Sequence, residues 1–312
     1  MAQGTIGVQV TGDDAPGLLA AVCRAETLGV TAVWATSGPV DALTVFAGAA
    51  VRTERVLMGT SITRTWPRHP ISMAEQAAVI GSLAPGRFRL GLGPASANAT
   101  EPYGIHWERP LSHLRAYVKI CRALLQEGAV DLEEGGLVAH SRLPMPPPGV
   151  PVMASALRRR SFEVCGEVAD GAITWICPSA YVRDIGLPAL RAGAVKGGRP
   201  APPMMLHVPV CIHPDREAAR AALRARFLPY AQRAHYVAMF EAAGFPEARE
   251  GRWSDAMLDA TAVYGSETQV GDGLRALQAL NLGEVLVSPV GVGDEPHVSA
   301  ERVLRLVAEL SR

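Results

Sequence analysis

Residues 55–93 read RVLMGTSITRTWPRHPISMAEQAAVIGSLAPGRFRLGLG. The first eight, RVLMGTSI, are apolar and β-branched enough for a buried strand. A polar loop follows, and then PISMAEQAAVIGSL (70–83), opened by a proline at its first position, predicts a helix. The tripeptide APG breaks that helix, and RFRLGLG (87–93) returns to the strand pattern. Apolar strand, helix and apolar strand make a parallel crossover unit, because only a helix packed on the sheet carries the chain back to start a parallel neighbour.

The unit recurs along the whole chain. Strands are expected at 5–10, 31–35, 55–62, 87–93, 150–155, 171–177, 205–212 and 284–290. Helices are expected at 15–28, 41–51, 70–83, 111–127, 157–169, 179–196, 215–243, 267–281 and 299–311. Eight strands alternating with helices predict an α/β fold closed as a (β/α)8 TIM barrel, one domain over residues 1–312. An open dinucleotide-binding sheet would carry G-x-G-x-x-G after its first strand, whereas TGDDAPG stands there. Two connections exceed what a barrel needs. Residues 129–149 suggest a hairpin and a proline-rich return, and residues 226–266 an extra helical excursion before the last strand.

Composition narrows the function. Among 312 residues, 30 basic and 30 acidic ones balance and are interspersed, which leaves no electrostatic footprint for nucleic acid or an anionic membrane. No stretch approaches the ~18 unbroken apolar residues of a membrane span, and MAQGTIGVQV has no basic leader, so a cytoplasmic protein acting on a small molecule is expected. Only Lys119 and Lys196 are lysines, neither placed for imine chemistry. The five cysteines are scattered singly in apolar segments, as buried reduced thiols are, with Cys177 alone at a strand end. The eight histidines form no H-x-H or H-E-x-x-H spacing, so no metal site is expected; His207 and His213 share a strand face by parity but have no carboxylate companion.

In a barrel, chemistry belongs to the loops at the C-terminal ends of the strands. After the fifth strand, SALRRRSFEV places Arg158, Arg159 and Arg160 at a helix start, where cations are unfavourable unless an anion is bound. After the fourth, GPASANATEPYG offers small residues for close approach and neutral donors such as Ser96, Asn98 and Thr100.

Taken together, GTSITRTWPRHPISMAEQAAVIGSLAPGRFRLGLG (59–93), EPYGIHWERPLSHLRAYVKICRALLQEG and VPVMASALRRRSFEVCGEVADGAITW resemble the luciferase-like monooxygenase superfamily, and most of all its branch dependent on the deazaflavin coenzyme F420 that includes methylenetetrahydromethanopterin reductase. That resemblance implies a bacterial-luciferase-like barrel and a non-prolyl cis peptide at Ser61–Ile62 beneath the cofactor ring. It places Thr63 and Arg64 at the ring's polar edge, Gly93, Pro94, Ala95 and Ser96 along the ring or tail, Ser155, Ala156, Leu157 and Arg158 at the phosphate, and Thr174 and Trp175 beside them. Trp66, Trp107 and Tyr236 are the candidate walls of a substrate pocket. Relatives with an acidic–histidine pair after the second strand have a proton relay there; WATSGP puts Ser37 and Gly38 in its place, and Ser96 stands where sugar-phosphate-oxidising members carry Glu. Ser37 and Arg64 are the candidate catalytic residues. The expected function is hydride transfer between deazaflavin C5 and a small organic substrate, by a protein that is a homodimer if it follows its relatives. The alternatives are a two-component monooxygenase using FMN and a non-catalytic flavin-binding or deazaflavin-binding relative.

Overall fold

The structure is a computed structural model and describes residues 5–38, 40–95, 101–293 and 295–311. Eight parallel strands close into a barrel: β1 Thr5–Gln9, β2 Ala32–Ala35, β3 Leu57–Thr60, β4 Phe88–Gly93, β5 Val152–Ser155, β6 Gly171–Ile173, β7 Met204–Ile212 and β8 Gly283–Pro289. Each pairs with the next, and β8 returns to β1 with Gly7 opposite Leu286. All eight expected strands are present. The third and sixth are shorter than expected: β3 ends at Thr60 and resumes only as the two-residue strand Thr63–Arg64 against β4, and β6 ends at Ile173.

Helices cover the outside. Those at Ala15–Leu28 and Pro70–Leu83 have the expected bounds, and each starts as its sequence dictates: Asp14 accepts from the Gly17 amide, and His69 Nδ1 accepts from Ile71 ahead of Pro70. The long helix expected over 215–243 is instead two, Arg216–Ala231 and Ala234–Ala242, with the chain leaving helical geometry at Arg233. Pro229 lies inside the first, in its last turn. The excursion continues through a short helix, Asp255–Thr261, to a strand, Val263–Gly265, which pairs with the upper half of β7 above the point where β6 stops. The 129–149 insertion is the expected hairpin, Ala129–Glu134 against Leu137–Arg142.

Inside the barrel, Trp34, Met153, Ile173, Met205 and Leu286 form one apolar cluster with Ile62 packed on it. The indole of Trp34 fits because its neighbour is glycine: a Cβ at Gly59 would stand 2.6 Å from the ring. Toward the N-terminal ends of the strands, Glu284 accepts from Trp34 Nε1 at 2.5 Å and pairs with Arg89 at 2.7 Å, while that guanidinium lies 4.1 Å from the Trp34 ring. This end is a packed ionic plug. The opposite end is where ligands have access.

Candidate active site at the barrel mouth

The mouth is organised around the end of β3. The Ser61–Ile62 peptide is cis, as the resemblance implied, and the strand beside it holds both flanking residues. Ser61 N donates to Ala35 O at 2.9 Å, Thr36 Oγ1 to Ser61 O at 2.7 Å, and Ser37 N to Ile62 O at 3.3 Å. Ser37 Oγ also lies 3.1 Å from Thr63 Oγ1, so of the two residues standing in place of an acidic–histidine pair, Ser37 forms a neutral hydroxyl contact with Thr63 and Gly38 offers no side chain. Ser61 Oγ itself is buried and has no partner among the described residues. An orphaned buried hydroxyl is unfavourable by about 1–3 kcal/mol, which a ligand hydrogen bond would relieve.

Three expected site residues from three strands meet next to it. A Cβ at Gly93 would come 2.7 Å from Ser155 Oγ and 2.9 Å from Ile62 Cδ1, so the three strand ends approach closely and only glycine fits here. Beyond Gly93, the Pro94 carbonyl accepts from Trp107 Nε1 at 2.9 Å, and Ala95 has φ of 54°. Ser96 lies outside the described residues. Arg64, half-buried beside Thr63, has no hydrogen-bond or ion-pair partner among the described residues.

At the fifth strand the helix begins one residue later than its arginines suggested, at Arg159, with Arg158 as its cap residue. Arg159 pairs with Glu163 at 3.2 Å, and Arg160 faces an outer cleft lined also by Glu163 and Glu167. Arg158, also exposed, is near enough to His235 and Tyr181 for its charge to act on both. Its charge, with that of Arg233 and behind the effect of burial, lowers the His235 pKa, and it opposes the rise that burial imposes on Tyr181. The N–H groups of Leu157 and Arg158 both donate to Ser161 Oγ, at 2.9 and 3.0 Å, so an anion here would meet the Arg158 side chain and the helix's own first turn rather than those two amides.

The far wall is aromatic. Trp175 lies 4.2 Å from the imidazole of His207, 5.6 Å from Phe227 and 6.0 Å from Tyr230, and Tyr230 meets Tyr236 at 5.1 Å, ring centroid to ring centroid. The excursion thus brings its helices onto the end of β6. Tyr236 is part of this wall and Trp107 is tied to Pro94 instead, while Trp66 is stacked on His113 at 3.7 Å, on the outer helix Pro110–Arg122, so that ring packs against the helix layer. Thr174 is likewise turned into the sheet: it is fully buried, and its hydroxyl bonds the β7 backbone at Met205 O and His207 N. Burial drives the His207 pKa down to about 3 and the His113 pKa to about 4, leaving both imidazoles neutral at ordinary pH.

The family described as luciferase-like monooxygenase matches residues 2–282. This chain belongs to the luciferase-like monooxygenase family. It is 22% identical over 299 residues to 5,10-methylenetetrahydromethanopterin reductase of Methanolobus tindarius, covering 88% of this chain and 90% of that one. It is 32% identical over 190 residues to F420-dependent glucose-6-phosphate dehydrogenase of Beutenbergia cavernae, covering 58% and 56%. The fold superimposes on the coenzyme F420-dependent tetrahydromethanopterin reductase of Methanopyrus kandleri with a TM-score of 0.77 at 19% identity, over 99% of this chain and 98% of that one.

Within this luciferase-like mouth the structure adds residues that sequence reading passed over. Gln9, Thr36 and Ser288 are hydrogen-bonded across three strand ends; His207, read in the sequence only as lacking a metal-site companion, sits against Trp175. A signal existed: in GVQV and LVSPV a lone polar residue interrupts an apolar strand at an inward-facing position near its C-terminal end. No cluster of metal-ligating side chains occurs among the described residues, and none of their helices is long and apolar enough to cross a membrane.

Proposed function

We propose that this luciferase-like chain is an oxidoreductase that binds coenzyme F420 across the barrel mouth and passes a hydride between it and a small organic substrate. The observation that carries the reading is Ser61 Oγ, buried and without a partner among the described residues, on the cis Ser61–Ile62 peptide whose Ile62 side chain meets the bare backbone of Gly93. The named relatives add the choice of deazaflavin. The residues fit such a group: a ring can lie on Ser61 and Ile62, Arg64 offers an unpaired cation at a polar edge, and Arg158 one at a phosphate.

When bound, the deazaflavin supplies hydride exchange at its C5. The protein's part is placement. Ser61 and Thr63 donate or accept neutral hydrogen bonds, Gly93 lets a ligand approach its backbone beside Ser155, and Trp175 and Tyr236 exclude water from the substrate side, with Trp107 assigned to the Pro94 edge. Ser37 stands where relatives place a proton relay, and its contact with Thr63 makes it a hydrogen-bonding group rather than a charged acid. Arg64 favours negative charge developing nearby. The reading also takes the working protein as a cytoplasmic homodimer, for which the family resemblance is the support and sedimentation equilibrium the test.

Calorimetric titration with oxidised F420 and, in parallel, FMN tests the proposal. Saturable micromolar binding of F420 is expected; binding of FMN alone would replace it with the two-component monooxygenase. Turnover of any enone, imine or alcohol from a substrate panel with bound F420 would eliminate a purely binding role.

A further inference from the structure

Four strand ends at the mouth are tied by one chain of hydrogen bonds. Ser288 Oγ on β8 lies 2.6 Å from Gln9 Oε1 on β1, Gln9 Nε2 lies 2.9 Å from Thr36 Oγ1 after β2, and Thr36 Oγ1 lies 2.7 Å from the carbonyl of Ser61 after β3. Its direction follows from elementary donor counting. A carbonyl oxygen only accepts, so the Thr36 hydroxyl must donate to Ser61 and therefore receives its own hydrogen bond from the Gln9 NH2. That sets the amide oxygen toward Ser288, which must then donate. The amide has one permitted orientation, and every hydroxyl in the chain has one permitted role.

We propose that Gln9 is a positioning residue of the mouth: by supplying one donor and one acceptor in a fixed sense, it locks Thr36 and Ser288 and so holds Ser61, whose own hydroxyl is unpartnered, in the orientation that receives a ligand. The chain spans residues 279 positions apart in sequence and ties β8, β1, β2 and β3 together by side chains at their C-terminal ends. Thr36 is exposed while Ser61 and Ser288 are buried, so a ring covering the mouth would dehydrate the one bond that water now competes for. The inference rests on the mouth being the deazaflavin site. The charged and titratable groups near it are few: Glu284 lies one inward-facing position below Gln9, toward Gly7, and is paired with Arg89; Asp14 caps its helix; Arg64 follows Thr63; His207 is held neutral by burial.

Residue 9 needs one donor and one acceptor, and this makes Gln9→Glu a test with its own control. An ionised carboxylate has no donor for Thr36; a protonated carboxyl has one of each. F420 affinity is measured by titration calorimetry between pH 5 and 8 for the wild-type protein, Gln9→Glu and Gln9→Leu, and expressed as the ratio to wild type at each pH, which cancels titration of F420 itself. Gln9→Leu is expected to bind about tenfold more weakly at every pH, the fold-change of one net hydrogen bond. Gln9→Glu is expected to match that loss at pH 8 and return to within about twofold of wild type as the introduced carboxyl takes up its proton. A merely structural residue gives no such rescue. In the ligand-free proteins, amide protection of residues 57–66 by hydrogen exchange should fall in Gln9→Leu, and fall in Gln9→Glu at pH 8 but not at pH 5. Equal affinity and equal protection in all three proteins, or a Gln9→Glu ratio flat with pH, would overturn the proposal. If wild-type protein fails to bind F420, the functional reading falls while the exchange arm still decides the role of Gln9. Ser288→Ala, which removes only the outer donor, gives a smaller protection loss of the same kind and serves if the Gln9 variants do not fold.

Discussion

Glu284 is the residue whose replacement has the most calculable effect. Its side chain is 4% exposed, accepts from Trp34 Nε1 and pairs with Arg89, itself 12% exposed. At an effective dielectric near 20, charges about 3 Å apart attract by roughly 5 kcal/mol, most of it offset by the desolvation of both groups. The pair as a whole therefore contributes little, whereas breaking it strands one charge. Glu284→Gln keeps an acceptor for Trp34 but leaves Arg89, whose Nε and Nη2 already lack partners, as an unbalanced buried cation. A loss of about 3–5 kcal/mol is expected, and a similar loss for Arg89→Met, which strands the carboxylate. The double variant removes both charges and should lie within about 1–2 kcal/mol of wild type, so the two changes couple by several kcal/mol. Urea unfolding followed by Trp fluorescence and far-ultraviolet circular dichroism measures all four proteins. Because the plug lies at the end of the barrel away from the mouth, F420 affinity of the folded variants should be unchanged. Single substitutions costing under about 1 kcal/mol, or strictly additive effects, would show that the pair is solvated and the reasoning wrong.

Further outcomes follow from the same structure. His207 and His113 have native pKa values of about 3 and about 4, below the value of 6.5 they regain on unfolding, so the unfolded chain binds more protons and stability is lost as pH falls from 6.5 toward 4. Two such groups give a slope of up to about 2.7 kcal/mol per pH unit, and His207→Leu should roughly halve it in urea midpoints taken at pH 5 and 7.5; His235, also lowered, acts in the same sense and exposed His140, raised by Asp131, in the opposite one. Gly59→Ala places a methyl carbon 2.6 Å from the Trp34 ring and should destabilise by about 1–3 kcal/mol in the same assay. Gly93→Ala brings a methyl carbon to 2.7 Å from Ser155 Oγ and 2.9 Å from both Cδ1 and Cγ1 of Ile62, so stability should fall by about 1–3 kcal/mol and F420 affinity, read by calorimetry, at least tenfold.

The barrel was legible because its strands are buried on both faces and read as unbroken apolar runs, as LMGT in β3 and MMLHVPVCI in β7 do. Helix bounds followed the same logic where a proline and a cap announce them, at Ala15 and Pro70. The break at Arg233 had a signal that the reading did not use: Pro229, four residues earlier, stands in the last turn of the first helix, and the chain turns after it to pack Tyr230 against Tyr236. Side-chain partners were the least legible of all. Trp66 looks like a pocket wall until His113, forty-seven positions away, offers its face, and Ser161 looks like an ordinary helix residue until its hydroxyl takes the Leu157 and Arg158 amides. The Gln9 chain depends on a contact between the two ends of the sequence, which no local pattern encodes.

A crystal structure of the protein with F420 tests the central claim most directly. The deazaflavin ring is expected against Ser61 and Ile62, with a hydrogen bond to Ser61 Oγ and the phosphate within reach of Arg158. A cofactor bound elsewhere, for instance in the outer cleft of about 360 Å³ bounded by Arg115, Arg160, Glu167 and Lys196, with the mouth left vacant, would contradict it.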